Sequence, residues 1–326
     1  MRYLTLSDII KTMRKLLKDC LYILFVVTIL FFISDQPSFS RTIKFAQISD
    51  IHYSTVRNDN GYKLLSQTKP LLEDAVKQVN NEKNIDFVML TGDIIDRPNK
   101  DSLDGAVQVL NTLNYPWYFV IGNHDTTTDG YLTKKNILKE LKEKNPNNTF
   151  DNTYYSFKKN GYRIIVMDGA KNKGISSNGI IPEEQLNWLD TLLSKSKRDV
   201  VLIFIHFPLL PPFDSHHHEI LNAKEFKAVL DKYKMPIAIF SGHYHMTKIK
   251  KRGNILHVST PALAGYPNSF RIVEVKEKHD KVEFNFKFME TNLKDLQAKT
   301  RLLTLGGARY YGKPEDRNTT ITLEKN

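Results

Sequence analysis

Beyond residue 40 the chain alternates two kinds of pattern. Short apolar runs at 43–48, 87–90, 116–121, 164–167, 200–205, 236–240 and 255–258 are bounded by polar stretches, as buried strands are. Between them lie segments whose apolar positions recur every three or four residues. Residues 64–81 put Leu71, Leu72, Ala75, Val76 and Val79 on one helical face, 106–113 repeat that spacing, and 183–193 follow Pro182, a residue suited to a helix's first turn. The runs 270–275 and 282–288 alternate with charges, the pattern of half-exposed antiparallel strands. Strands alternating with helices, followed by hairpin-like strands, predict a mixed sheet with helices outside it. A further helix is expected at 292–303, closed by Gly306 and Gly307, and a last strand at 319–323. The segment 291–326 carries no readable functional signal. Three parts are therefore expected: 1–40, a body at 41–290 and a C-terminal extension at 291–326.

The N-terminal part is of another kind. Residues 21–33 form an apolar run broken only by Thr28, short for a membrane span, which needs roughly 20 residues. Lys11, Arg14, Lys15 and Lys18 precede it, and the small-x-small triplet Ser38-Phe39-Ser40 follows. That arrangement fits an export signal cleaved after Ser40, with an uncleaved membrane anchor as the alternative. Both put the body outside the cytoplasm, periplasmic or secreted.

Composition narrows the chemistry. With 41% hydrophobic and 25% charged residues among 326, the chain is globular rather than disordered. Cys20 is its only cysteine, so the body has no disulfide, zinc thiolate or thiol nucleophile. Any metal there must be held by His, Asp, Glu or Asn. The net charge of +11 comes from lysines dispersed among acids. It reads as a solvated surface that weakly favours an anionic substrate, not as a specific nucleic-acid face.

Polar groups of one chemical kind follow five of the predicted strands. They are Asp50 and His52; Asp93; Asn123, His124 and Asp125; His206; and His243 with His245. In open α/β sheets ligands bind outside the carboxyl ends of strands, so these ends are expected to share one crevice. Acids, imidazoles and an amide oxygen make a mixed N/O ligand set that suits Mn, Fe, Zn or Ni rather than Mg or Ca. The ligands are too many for one ion. Two ions about 3.5–4 Å apart would use them, clamping the attacking and leaving oxygens of a displacement at phosphorus. Asp93, alone between two clusters, is the natural bridge. Asp50 and His52, like His243 and His245, are two apart, a spacing that in extended backbone turns both side chains to one side. Alone, each fragment is commonplace; the ordered set is not. His216, His217 and His218 read as a solvated loop, with lining of the substrate mouth as the alternative, and Tyr244 either contacts substrate or packs.

The order D-x-H, G-D-x-x-D, G-N-H-D, H and G-H-x-H resembles the calcineurin-like metallophosphoesterase superfamily over about residues 43–275. Within it, Gly92-Asp93-Ile94-Ile95-Asp96 is similar to the class III cyclic-nucleotide phosphodiesterase branch. Asp96 stands where purple acid phosphatases place a Tyr ligand, which argues against a Tyr-ligated ferric site. The resemblance implies an α/β (α+β) fold: a four-layer αββα sandwich, two mixed β-sheets flanked by helices. It implies two divalent or trivalent transition metal ions (Mn, Fe or Zn). Asp50, His52, Asp93 and His245 would hold one, and Asp93, Asn123, His206 and His243 the other. His124 would protonate the leaving oxygen, with Asp125 orienting it. The implied reaction is hydrolysis of a small phosphomonoester or phosphodiester, a nucleotide among the candidates, by water activated between the ions and without a covalent intermediate. The alternatives are a cyclic-nucleotide 3',5'-phosphodiesterase and a non-catalytic scaffold, such as the retromer subunit of the same superfamily. The intact ligand set beside His124 speaks against the scaffold.

Overall fold

The computed structural model describes residues 5–34, 41–55, 58–127, 132–171, 176–213, 215 and 217–325. It divides into two units, Met1–Phe39 and Ser40–Asn326. In the first, α1 (Leu6–Ser34) is one continuous helix. The side chains of 26–33 in the apolar run, and the whole Ser38-Phe39-Ser40 triplet, lie outside the described residues. Among the described residues no helix is long and apolar enough to cross a membrane.

The second unit runs β1 (Arg41–Ile48), α2 (Thr68–Asn81), β2 (Phe87–Leu90), α3 (Lys100–Leu110), β3 (Trp117–Phe119), α4 (Lys134–Lys144), β4 (Tyr155–Lys159) and β5 (Tyr162–Val166). It continues with α5 (Glu183–Ser194), β6 (Val201–Phe204), α6 (Ala223–Leu230), β7 (Ile237–Ser241), β8 (Lys248–Arg252), β9 (Ile255–Ser259), β10 (Ser269–Glu277) and β11 (Lys281–Glu290). α7 (Lys294–Leu303), α8 (Gly307–Tyr311), α9 (Pro314–Arg317) and β12 (Thr319–Glu324) close it. The strands form two six-stranded mixed sheets, ordered β12-β11-β10-β1-β2-β3 and β4-β5-β6-β7-β9-β8. In the first, β1, β2 and β3 are parallel; in the second, β5, β6, β7 and β9 are.

Alternation along the central strands makes the layers. Ile43, Phe45, Phe87 and Met89 point into one buried cluster with Leu202, Phe204, Ala238 and Phe240 from the other sheet. Their neighbours Ala46, Ile48, Val88 and Leu90 point the opposite way, into a cluster that includes Leu71, Leu72 and Ala75 of α2. Val201, Ile203, Ile237 and Ile239 likewise share a cluster with Leu189 and Leu193 of α5 and Phe226 and Leu230 of α6. Helices therefore cover both outer faces, giving the expected αββα sandwich. Between the sheets, Phe45 stacks on Phe87 at 5.1 Å and meets Phe240 edge-on at 5.1 Å and Phe204 at 5.4 Å. Burying each such ring contributes about 1.5–3 kcal/mol.

Near the functional end of β1 that apolar interface gives way to a polar tie. Gln47 donates to Thr91 Oγ1 (3.1 Å) and to Ser241 O (3.2 Å), and accepts from Thr260 Oγ1 (2.7 Å). The amide thus fastens the ends of β1, β2 and β7 to one another.

Several elements depart from the sequence reading. α3 begins at Lys100 rather than 106, because Asn99 caps it by accepting from Ser102 N (3.0 Å). The expected helix 64–81 starts at Thr68, after a short tighter turn at Leu65–Gln67. α4, β4, α6 and β8 were not expected. α4 (KKNILKELKEK) buries only Ile137 and Leu141, and β8 (KIKKR) is mostly lysine, so neither presents a readable apolar face. Residues 291–326 fold as part of the second unit: β12 pairs antiparallel with β11, and Asp316 of α9 accepts from Ile249 N (3.0 Å) and Lys248 Nζ (3.0 Å) of β8.

Candidate metal centre

The candidate ligands, with His124 and Asp125, lie just past the C-terminal ends of parallel strands: Asp50 and His52 after β1, Asp93 after β2, Asn123 to Asp125 after β3, His206 after β6, His243 and His245 after β7. The backbone there does not take the extended geometry that the two-residue spacing predicts. Asp50, His52, Asp93, His243 and His245 all have positive φ, between 45° and 68°. That conformation costs non-glycine residues on the order of 1 kcal/mol or more each, so it must be held from outside. Backbone bonds from Asp50 N to Gly92 O (3.1 Å) and from His52 N to Asp93 O (2.9 Å) lock the first two loops together. His243 N donates to the Asp50 carboxylate at 3.1 Å, locking the third. Gly122 is required by close approach: a Cβ there would lie 2.2 Å from Asp93 N.

The donors assemble around one shared carboxylate. One ligand atom each from Asp50, His52, Asp93 and His245 lies within 4.8 Å of the others, and the same holds for Asp93, His206 and His243. Asp93 Oδ2 lies 3.3 Å from His206 Nε2 and 3.7 Å from His52 Nε2, facing both groups. His245 Nε2 is 3.2 Å from Asp50 Oδ1 and 3.2 Å from His52 Nε2.

The outward ring nitrogens reveal what the inward ones can be. His206 Nδ1 is 2.8 Å from Thr91 O and His243 Nε2 is 2.8 Å from Ser177 O. A carbonyl only accepts, so both outward nitrogens carry a proton, and in the neutral rings both inward ones present lone pairs. Yet His206 Nε2 lies 3.1 Å from His243 Nδ1, 3.1 Å from Asn123 Oδ1 and 3.3 Å from Asp93 Oδ2. Four buried acceptors aimed at one another need a cation between them. The donor set therefore fits a metal ion.

The electrostatics agree. Burial alone would raise the Asp50 carboxyl, but His245 and His206 beside it hold it at about 2. Burial would lower His206, but Asp93 and Asp50 drive it up to about 9, so without a metal ion this ring takes up a proton instead. Burial pulls His52 down to about 4, against the carboxylate of Asp96, keeping it neutral as a ligand must be.

One role differs from expectation: the resemblance implies that Asp125 orients His124. Its Oδ2 instead accepts from Gly122 N (2.8 Å) and Asp93 N (3.0 Å), and its Oδ1 from Ile95 N (3.1 Å). It pins the loop bearing Asn123 against the loop bearing Asp93. His124 is held by the main chain: Nδ1 lies 2.6 Å from Asp96 O, and its backbone N donates to Asp93 Oδ1 (2.9 Å).

The sequence motif includes Asp96 but does not show what it supports, and it gives no sign of Tyr62 or Lys63. Asp96 Oδ1 lies 3.2 Å from His52 Nδ1 and 2.8 Å from Lys63 Nζ. The Tyr62 hydroxyl lies 2.9 Å from His245 Nδ1, and burial raises its pKa so that it stays protonated. Such outer partners fix ring orientation and raise ligand basicity, but each lies far in sequence from the ring it supports, Asp96 from His52 and Tyr62 from His245. The His218 ring lies tilted 5.3 Å from that of His243 and edge-on 6.0 Å from that of Tyr244, while His216 lies outside the described residues.

A family model described as Calcineurin-like phosphoesterase matches residues 43–247. A protein of Fibrobacter succinogenes named a probable cyclic nucleotide phosphodiesterase is 28% identical over 209 residues, 63% of this chain and 73% of that protein. A probable glycerophosphodiester phosphodiesterase GpdQ of Arcobacter nitrofigilis is 29% identical over 214 residues, 61% of this chain and 70% of its own length. A dimetal phosphatase from Danio rerio superposes with a TM-score of 0.60 at 19% identity, covering 77% of this chain and 99% of that one, a likeness of fold.

Proposed function

The chain belongs to the calcineurin-like phosphoesterase family, and from that premise we propose how its residues divide the work of hydrolysing a small phosphodiester. It is a metal-dependent phosphoric ester hydrolase with a buried Asp/His cluster suited to two ions. The observation that carries the reading is the ring of facing acceptors around Asp93 Oδ2, which enters both ligand groups.

In this reading Asp50, His52, Asp93 and His245 hold one ion; Asp93, Asn123, His206 and His243 hold the other. The N/O donors favour Mn, Fe or Zn. When bound, such a pair supplies a nucleophile at neutral pH and neutralises phosphate charge. The chain's own groups do the rest. The Asp96 carbonyl accepts a hydrogen bond from His124 Nδ1–H, so Nε2 is the nitrogen free to deliver a proton to the leaving oxygen. Asp125 acts through the backbone, keeping Asn123 and Asp93 in register. Asp96 and Tyr62 keep the His52 and His245 rings turned inward.

The first relative's name favours a cyclic-nucleotide diester as a second reading of the substrate. The pattern at 11–40 supports an extracytoplasmic location, which cell fractionation tests.

The test of function uses the full chain, stripped and reloaded with Mn. It is offered bis-p-nitrophenyl phosphate, p-nitrophenyl phosphate and cyclic AMP, with His206→Ala as control. The diester should turn over fastest, and the variant should lose that turnover. Equal turnover by the variant sinks the assignment of the site.

A further inference from the structure

A cavity of about 770 Å³ opens beside the metal centre, and the C-terminal segment forms one wall of it. Its floor includes Met246, the residue after His245. One rim is Phe213, 44% exposed, whose ring packs edge-on at 5.2 Å against Tyr244, the residue between His243 and His245. The other rim is Arg309 of α8 and Lys313. The wall is held in place from the metal side: Tyr310 O accepts from Thr247 N (3.0 Å) and Thr247 Oγ1 (2.8 Å), two residues past His245. The Tyr310 ring lies 6.1 Å from that of Tyr62, which touches His245.

The charges in this cavity are not equivalent. Lys248 is paired with Asp316 at 3.0 Å and so is already satisfied. The Arg309 guanidinium is exposed and makes no ion pair or hydrogen bond among the described residues. An aromatic ring on one rim and a free guanidinium on the other, around an apolar floor, suit a ligand with a flat ring and an anionic group. The volume falls within the range of small-molecule sites.

We propose that this cavity is a binding subsite for the retained, non-leaving end of the substrate. Phe213 takes an aromatic group, and Arg309 takes a second phosphate on the same group. The favoured substrates are then diesters whose retained half is a phosphorylated nucleoside. This rests on the reading of the metal centre as a phosphoesterase site. It assigns to α8 and the segment around it a role in specificity.

Three esters with one leaving group test it: methyl p-nitrophenyl phosphate, thymidine 5'-(p-nitrophenyl phosphate), and the latter bearing a 3'-phosphate. For the wild type, kcat/KM should rise about two- to tenfold at the first step and about tenfold at the second. Phe213→Ala should abolish the first gain and Arg309→Ala the second, each chiefly through KM, with the methyl ester unaffected. Both side chains are exposed, so neither variant threatens folding. If the three esters react equally while His206→Ala still abolishes turnover, the subsite is wrong and the phosphoesterase reading stands. If no ester reacts, the functional reading fails, and calorimetry with thymidine 3',5'-bisphosphate decides the subsite alone. Binding weakened about tenfold by Arg309→Ala upholds it; binding that is absent, or equal in both proteins, overturns it.

Discussion

The loops that carry the metal ligands and the segment that walls the neighbouring cavity lie side by side and are built on opposite principles. The ligand loops are buried and hold left-handed residues at Asp50, His52, Asp93, His243 and His245, each fixed by bonds to another ligand loop. The C-terminal segment leaves Leu302 86% and Leu305 93% exposed, and near the metal loops it is joined through Thr247 and β8. Chemistry at phosphorus tolerates little displacement of its ligands, so that region is over-determined. Discrimination between substrates needs only a wall at the right distance, and a segment anchored mainly away from the ligands, through β12 on β11 and Thr300 on Asn268, can supply one.

The contrast is broken most severely at its centre. Asp93→Ala removes the carboxylate common to both ligand groups. It should lower turnover by more than about a thousandfold, and elemental analysis should find the protein short of metal. Leu323→Ala, in the buried face of β12, probes the other region. It should cost about 2–5 kcal/mol in urea unfolding and leave kcat for methyl p-nitrophenyl phosphate unchanged, because β12 supports the sheet and not the ligands. Asp96→Ala separates a ligand from its support: metal affinity should fall about 10- to 100-fold in a chelator competition, while the fold persists.

The smallest effect distinguishes ligand histidines from one that is merely buried. Burial, with Arg252, Lys227 and Lys250 nearby, depresses His257 to about 4. The folded state therefore binds fewer protons than the unfolded state between that value and the ordinary 6.5. Stability contributed by the neutral ring should be full above pH 6.5 and decline as pH falls toward 4. The loss should be on the order of 2 kcal/mol. Denaturant midpoints of His257→Gln should lack that part of the slope; an identical slope would contradict the assignment.

The two regions also differ in how far the sequence discloses them. The seven proposed ligands were readable because each follows an apolar run long enough to be recognised as a strand. Asp93 was readable as the bridge because it stands alone. The left-handed backbone beneath them was not, since Asp and His carry no fixed preference strong enough to announce it. Asp125 departs for a related reason: the family resemblance implies contact with His124, whereas the turn sends its carboxylate back to three backbone amides. Tyr62, Lys63 and Ser177 reach the site only through folding. The layers were foreshadowed by the spacing of 43–48, 87–90, 200–205 and 236–240. α4 and β8 were missed because lysines hide their few buried positions. The C-terminal segment discloses its helix and last strand, α7 and β12, but not its function, because a surface wall needs no motif of its own.

The attachment of α8 to the backbone of Thr247 has a consequence for the order in which the protein is made. Every proposed ligand has been synthesised by residue 245, whereas Arg309 and the rest of the C-terminal wall follow more than sixty positions later. A nascent chain halted between these points would hold the whole catalytic set without the wall beside it. The anion-binding half of selectivity is thus made after the catalytic set, whereas its aromatic half, Phe213, is made before His243 and His245.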